Sequence, residues 1–231
     1  MHRIAFYDLD RTVTRLPTWS AFLVAGALGG PLWRLALVPA VAGAALAHAL
    51  RLLNRDRLKE VMHRLMLGET VPADRLAAVA ERFADRTLER NIRPGVHRRI
   101  AADRDAGYRI VLATAAHRFY AEALARRLGI ADVVATESTL DAAGAVRHRL
   151  AGANLYGPAK LSAIKAWLRT TGINRDRATL RFYTDHVSDA PCLSFVDEPF
   201  AVNPHRRLRS LAAARGWPIL DWGSPAKPLS T

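Results

Sequence analysis

A single cysteine, Cys192, in a chain of 231 residues rules out internal disulfides and is compatible with a reducing compartment. It also leaves no credible zinc set. Met1 to Tyr7 is too short for the apolar core of a secretory signal, so a cytoplasmic location is the default expectation. No internal repeat or low-complexity tract is present. Aromatic residues make up only 7 % of the chain, and no basic stripe is interleaved with them. Despite a net charge of +13, no nucleic-acid-binding module is recognisable, and no nucleic-acid partner is expected. Acidic residues are missing altogether between Arg11 and Asp56. Two uncharged stretches fall in that interval, Trp19 to Trp33 and Leu35 to Ala47. Neither reaches the ~20 apolar residues that span a bilayer.

What is present starts at the N-terminal end. Ile4 to Tyr7 reads as a strand buried on both faces, and Asp8-Leu9-Asp10-Arg11-Thr12 follows directly. Ligands of open α/β sheets gather at the carboxyl ends of strands. Alternate residues of an extended segment point the same way, which brings Asp8 and Asp10 toward one site. Two carboxylates so close repel unless a cation or a shared proton separates them. That suits a nucleophile beside a general acid, although a solvated turn accommodates Asp-x-Asp as well.

Three further pieces follow in order. Tyr108 to Ala113 is a strand candidate that runs into Thr114-Ala115-Ala116 and then a helix from Phe119 to Leu128. A hydroxyl and successive backbone N–H groups at such a turn form an anion site. Lys160 precedes the helical Leu161 to Leu168, where an ammonium reaches a phosphate. Leu180 to Thr184 is another strand candidate, ending in Asp185-His186-Val187-Ser188-Asp189. For Asp189 the plain alternative is a helix cap, and for Lys160 an exposed lysine. His186, His117 and His97 are expected on the surface or at caps. Pro158 and Ala159 break the Gly-Lys pair that a nucleotide-binding P-loop requires.

In order and spacing these motifs resemble the haloacid dehalogenase-like phosphohydrolases, in the branch of the phosphoserine phosphatases, over about Ile4 to Trp222. The resemblance implies Asp8 as nucleophile, forming an aspartyl-phosphate, and Asp10 as acid and base. It implies Thr12, Thr114, Ala115 and Lys160 as phosphate-binding groups. It implies a Mg²⁺ held by Asp8, the carbonyl of Asp10 and Asp185, with Asp189 in support. All-oxygen ligands suit a hard octahedral ion. Arg11 stands where the family usually has glycine. Pro17 stands where phosphoserine phosphatases carry a glutamate for the substrate amine.

The expected fold is therefore a Rossmann-like, doubly wound parallel sheet from residues 1–16 and 91–222, with an all-helical cap inserted over 17–90 and a loose tail over 223–231. A small hairpin is expected around Gly144. Caps exclude water and select the leaving group. This one resembles that of bacterial phosphatidylglycerophosphate phosphatases, where a hydrophobic segment interrupts the same place. Its apolar residues occur all round the helix and must be buried in protein or lipid. Arg51, Arg55, Arg57 and Lys59 follow, where they meet anionic headgroups. The alternative is a helix pair packed on itself, on the core or across a dimer. The expected activity is Mg²⁺-dependent phosphomonoester hydrolysis, with an apolar or lipid phosphate as substrate and peripheral membrane contact. The rivals are a soluble metabolite phosphatase, including one for phosphoserine, and a noncatalytic binder of anionic membrane or nucleic acid.

Overall fold

Ile4 and Phe6 face one hydrophobic layer and Ala5 and Tyr7 face the other, so strand β1 (His2–Tyr7) runs through the middle of the protein. Such two-sided burial is the condition of a central parallel strand. The structure, a computed structural model, describes residues 2–223; of the expected tail, all but Gly223 lies outside the described residues.

After β1 come α1 (Trp19–Leu28), α2 (Val38–Ala49), α3 (Arg55–Met66), β2 (Thr70–Val71), α4 (Ala73–Arg90) and α5 (Gly95–Asp105). The chain continues through β3 (Arg109–His117), α6 (Arg118–Arg127), β4 (Asp132–Thr136), β5 (Ser138–Leu140), β6 (Val146–Leu150) and α7 (Pro158–Thr170). It ends with β7 (Ala178–Thr184), α8 (Ala190–Leu193), β8 (Glu198–Val202), α9 (Arg206–Arg215) and β9 (Ile219–Leu220). Six strands form one sheet in the order β4-β3-β1-β7-β8-β9, and every pairing is parallel. The chain winds outward from β1 through β3 and β4, then the other way through β7, β8 and β9. Strand order reverses beside β1, which is where open α/β sheets bind ligands. Val96 of α5 and Leu124 of α6 cover one face, and Ile164 of α7 and Leu208 of α9 cover the other. This is the doubly wound, Rossmann-like arrangement.

The interval 17–90 is helical except for β2. This strand pairs antiparallel with β6 and joins the β5–β6 hairpin in a three-stranded sheet. Two residues are too few to show a strand period, so the sequence reads as helix there. Helix α5 stops at Asp105; Gly107 turns at φ +79° and Arg109 opens β3. The interval's two ends run side by side: Arg15 N donates to Asn91 O at 2.7 Å and Arg93 N to Val13 O at 3.0 Å. Helices α1 and α4 share the core of α6. Phe22 stacks on Tyr120 with ring centroids 4.6 Å apart, and Arg127 pairs with Asp85 at 2.7 Å.

Helix α2 behaves differently, since no residue from 31 to 50 is buried. A 3-10 turn over Leu32–Leu37 leads straight into α2, giving one helical run of 18 residues with mean hydropathy 1.4. By length and composition that run suffices to cross a membrane, which the separate uncharged stretches do not suggest. The difference arises because Pro39 opens α2 in its first turn instead of breaking it. Arg34, in turn, aims its guanidinium at the carbonyls of Arg64 and Leu65 at 3.0 and 2.9 Å.

Candidate active site

Asp8 emerges at the end of β1 and Asp185 at the end of β7, the neighbouring central strand. The Asp8 N–H donates to Tyr183 O at 3.0 Å, which holds the start of the loop against β7. Thr12 then folds back between the two acids. Its Oγ1 lies 3.1 Å from Asp8 Oδ2 and 3.3 Å from Asp185 Oδ1, and accepts from Asp185 N at 2.9 Å. The tight turn places Arg11 at φ +63°, the left-handed region where glycine carries no steric penalty. Arg93 grips the Arg11 carbonyl with Nε and Nη2, at 3.0 and 2.8 Å, and so holds the turn.

Lys160 reaches the same place from the first turn of α7. The preceding Gly157 has φ +61° and ψ −129°, a conformation that side chains disfavour, and Pro158 then starts the helix. Lys160 Nζ donates to Asp8 Oδ1 and to Asp189 Oδ2, both at 2.7 Å. Thr184 Oγ1 also donates to Asp189 Oδ2, at 2.9 Å. Asp189 holds the N-cap position of α8 but its side chain makes no cap hydrogen bond, and Lys160, only 3 % exposed, is no surface lysine.

The site is electrostatically crowded. Burial raises the Asp8 carboxyl to about 7; Lys160 opposes the rise, and Asp189 and Asp185 add to it. Asp185 is pushed up to about 6, mainly by burial, against the hydrogen bond to Thr12. Burial works against a charged Lys160, yet Asp189 and Asp8 outweigh it and hold the ammonium protonated. One fixed cation thus serves several close carboxylates.

A cleft of about 370 Å³ opens over this cluster, lined also by Asp10, Thr114, Ala115, Pro17, Arg55 and Tyr156. Thr114 Oγ1 accepts from Ala116 N at 3.0 Å. Thr114 lies within β3 rather than beyond its end, and the strand's register shifts between Ala113 and His117. That irregularity, not a strand-to-helix turn, presents Thr114 and Ala115 to the cleft. Asp10 lines this cleft and a second cavity of about 160 Å³, walled by Trp19, Leu58, Lys59, Met62, Tyr120 and Asn154. Burial raises the Asp10 carboxyl, against hydrogen bonds from Thr18. An acid between two compartments is well placed to serve a bond that joins them.

Every expected site residue (Asp8, Asp10, Thr12, Thr114, Ala115, Lys160, Asp185 and Asp189) therefore lies at one end of the sheet. Sequence reading missed Thr18, Asn154 and Tyr156, and it misplaced Lys59. That lysine is buried, donating to Ala115 O and, at 3.0 Å, to Asn154 Oδ1, with burial lowering its ammonium to about 7. Its helical spacing with His63 and Met66, the other buried residues of α3, was the available signal. His117 is fully buried, against Trp19 and Phe119, rather than on the surface. His186 accepts from Ser188 N at 3.2 Å as a cap, and His97 is exposed.

Among the described residues, no three His, Cys, Asp or Glu side chains form a closed metal cage. An open oxygen site is the better fit. Asp189 Oδ1 is buried without a hydrogen-bond partner, and Asp8 and Asp185 resist ionising together. A hard cation held by one or two carboxylates, with water and phosphate completing its shell, answers both features.

Fold and cleft define an α/β protein with a carboxylate–lysine site at its topological switch point. Residues 5–194 match the family described as haloacid dehalogenase-like hydrolase, and the chain belongs to that family. Phosphoserine phosphatase SerB1 of Mycobacterium tuberculosis is 36 % identical over 148 residues, 64 % of this chain and 47 % of that protein. The chain spans about half the length of the first curated relatives it matches. A solved protein of unknown function from Bordetella pertussis Tohama I aligns with TM-score 0.84 at 25 % identity, covering 96 % of this chain and 99 % of that one. A phosphoserine phosphatase solved as a phospho-aspartyl intermediate analogue aligns with TM-score 0.62 at 14 % identity, over 96 % and 93 % of the two chains, a likeness of fold.

Proposed function

We propose that the protein hydrolyses phosphate monoesters through a phosphorylated Asp8, with Mg²⁺ as cofactor and residues 17–90 acting as the cap over a core of 1–16 and 91–222. The observation that carries this reading is Lys160 held between Asp8 and Asp189 at 2.7 Å to each. In the first step an Asp8 carboxylate oxygen attacks phosphorus, the ester P–O bond breaks, and Asp10 gives its proton to the leaving oxygen. In the second, a water loses a proton to Asp10 and attacks the same phosphorus. This releases phosphate and returns Asp8 to its carboxylate. Splitting the reaction through a covalent intermediate replaces one hard step with two easier ones. Lys160, Thr114 and the backbone near Ala115 hold the phosphoryl oxygens, since such transfers depend mainly on positioning and charge. Asp8, the Asp10 carbonyl and Asp185 would hold Mg²⁺, with Asp189 beside them; when bound, the ion neutralises phosphoryl charge and aligns the group.

The leaving group lodges in the second cavity. Its walls are apolar apart from Asp10, Arg55, Lys59 and Asn154. Pro17 lines the cleft where an acid would be needed to meet an ammonium. The leaving group is therefore uncharged or anionic and largely apolar, as in a lipid phosphate. The phosphoserine reading is favoured by one observation, the name of the relative that is 36 % identical.

Steady-state assays over phosphoserine, sugar, nucleotide and lipid phosphates decide between them. The expected result is Mg²⁺-dependent turnover with kcat/KM for a lipid phosphate at least about tenfold above that for phosphoserine, a difference of ~1.4 kcal/mol. Preference for phosphoserine would reverse the substrate assignment, and no hydrolysis of any ester would remove the activity.

A further inference from the structure

Among the described residues, nine of the eleven large apolar side chains that remain exposed lie between Leu16 and Leu52. Trp33, Leu46, Leu50 and Leu52 are each 60 % exposed or more, and no charge occurs between Arg34 and Arg51. Monomeric proteins rarely leave so many large apolar side chains of one segment exposed without a use for them. The arm is nonetheless firmly built. Arg34 fastens its first part to the carbonyl end of α3, α2 lies against α3, and His48 Nδ1 meets Leu53 O at 2.7 Å. It is a fixed feature with one side left bare.

Arginines stand at its margin. Arg51 and Arg55 are exposed at the turn into α3, while Arg75 and Arg82 lie against Gly30 and Gly29 at the other end. Lys59 is buried and Arg57 is paired with Glu60, so neither belongs to this margin. An apolar centre with an arginine margin matches the interface of an anionic bilayer, where apolar residues enter the headgroup boundary and arginines meet lipid phosphates. A second copy fits poorly. A twofold contact sets the patch against itself, and no acid lies between Arg11 and Asp56 to receive the partner's arginines. A crossing helix fits poorly as well, because α1 and α3 at the two ends pack into the same body and Arg34 would have to abandon its carbonyls.

We propose that residues 31–53 dock on an anionic lipid surface, with α2 lying along it. Arg55 lines both cavities three positions after Leu52, so the docked arm brings the mouth of the cleft to the bilayer.

The test is flotation of the full chain with vesicles of phosphatidylcholine alone, or of phosphatidylcholine and phosphatidylglycerol in equal parts. The chain is expected to float with the mixed vesicles and far less with the neutral ones. A combined Trp33→Glu, Leu46→Glu, Leu52→Glu variant should lose at least tenfold in partitioning while hydrolysing a soluble chromogenic phosphate at the unchanged rate. If that variant misfolds, Arg51→Glu alone should still weaken binding to the mixed vesicles. A wild-type chain that stays soluble with both vesicles overturns the proposal, and so does a variant that floats as well as the wild type. A wild-type dimer that the variant converts to monomer, with no flotation, assigns the patch to a second copy instead. Flotation does not depend on turnover, so failure of the hydrolase reading leaves its outcome intact.

Discussion

The backbone N–H and the hydroxyl of Thr18 both lie 2.7 Å from one oxygen of Asp10, Oδ1. Thr18 immediately precedes α1, and its hydroxyl also lies 3.1 Å from Tyr120 OH. The proposed acid is thus held in place by Thr18, among the first residues of the inserted segment. Removing the hydroxyl in Thr18→Val should lower kcat by roughly ten- to a hundredfold with KM little changed, as expected when a catalytic group loses its alignment. The loss should grow with poorer leaving groups, and Thr18→Ser should restore most of the rate. Equal losses for good and poor leaving groups would count against a role through Asp10.

Lys160 is the counter-charge for Asp8 and Asp189, and all three are buried. Taking one partner from a buried ionic cluster costs about 3–5 kcal/mol, because it strands the others. Lys160→Met should therefore lower unfolding free energy by about that much in chelator, and a divalent cation should return part of the loss. Unchanged stability without metal would show that the carboxylates are protonated and need no counter-charge.

His63 is fully buried and neither ring nitrogen has a hydrogen-bond partner. Burial, then His148 and Lys59, lowers its imidazolium to about 3. Between that value and the ordinary 6.5 the unfolded chain holds a proton that the folded chain does not. Stability is therefore complete above 6.5 and falls as pH drops, by about 2 kcal/mol at pH 5. His63→Leu should gain on the wild type by about that amount between pH 7.5 and pH 5 in denaturant titrations. A gain independent of pH would mean that His63 takes up its proton in the folded state.

The parallel core and the acidic cluster were legible in the sequence. Each of Asp8, Thr114 and Asp185 sits at or beside the end of an apolar run, and a buried strand leaves its polar residues to the strand's carboxyl end. Lys59 and His117 were not legible, because a lysine in a basic stretch and a histidine at a strand end look solvated until the packing partners are known. Trp19, from the inserted segment, packs at a tilt against His117 with ring centroids 4.5 Å apart, and its ring lies 5.9 Å from the Lys59 ammonium. Strand β2 was hidden for another reason: its partner β6 lies far along the chain, and two residues carry no period of their own.

Acid quenching during turnover of a radiolabelled phosphate ester, followed by peptide mapping, addresses the nucleophile directly. Label should appear on the peptide carrying Asp8 and vanish in Asp8→Asn, together with steady-state hydrolysis and with no loss of folded structure. Label on any other residue, or turnover by Asp8→Asn within tenfold of the wild type, would contradict an aspartyl-phosphate at Asp8.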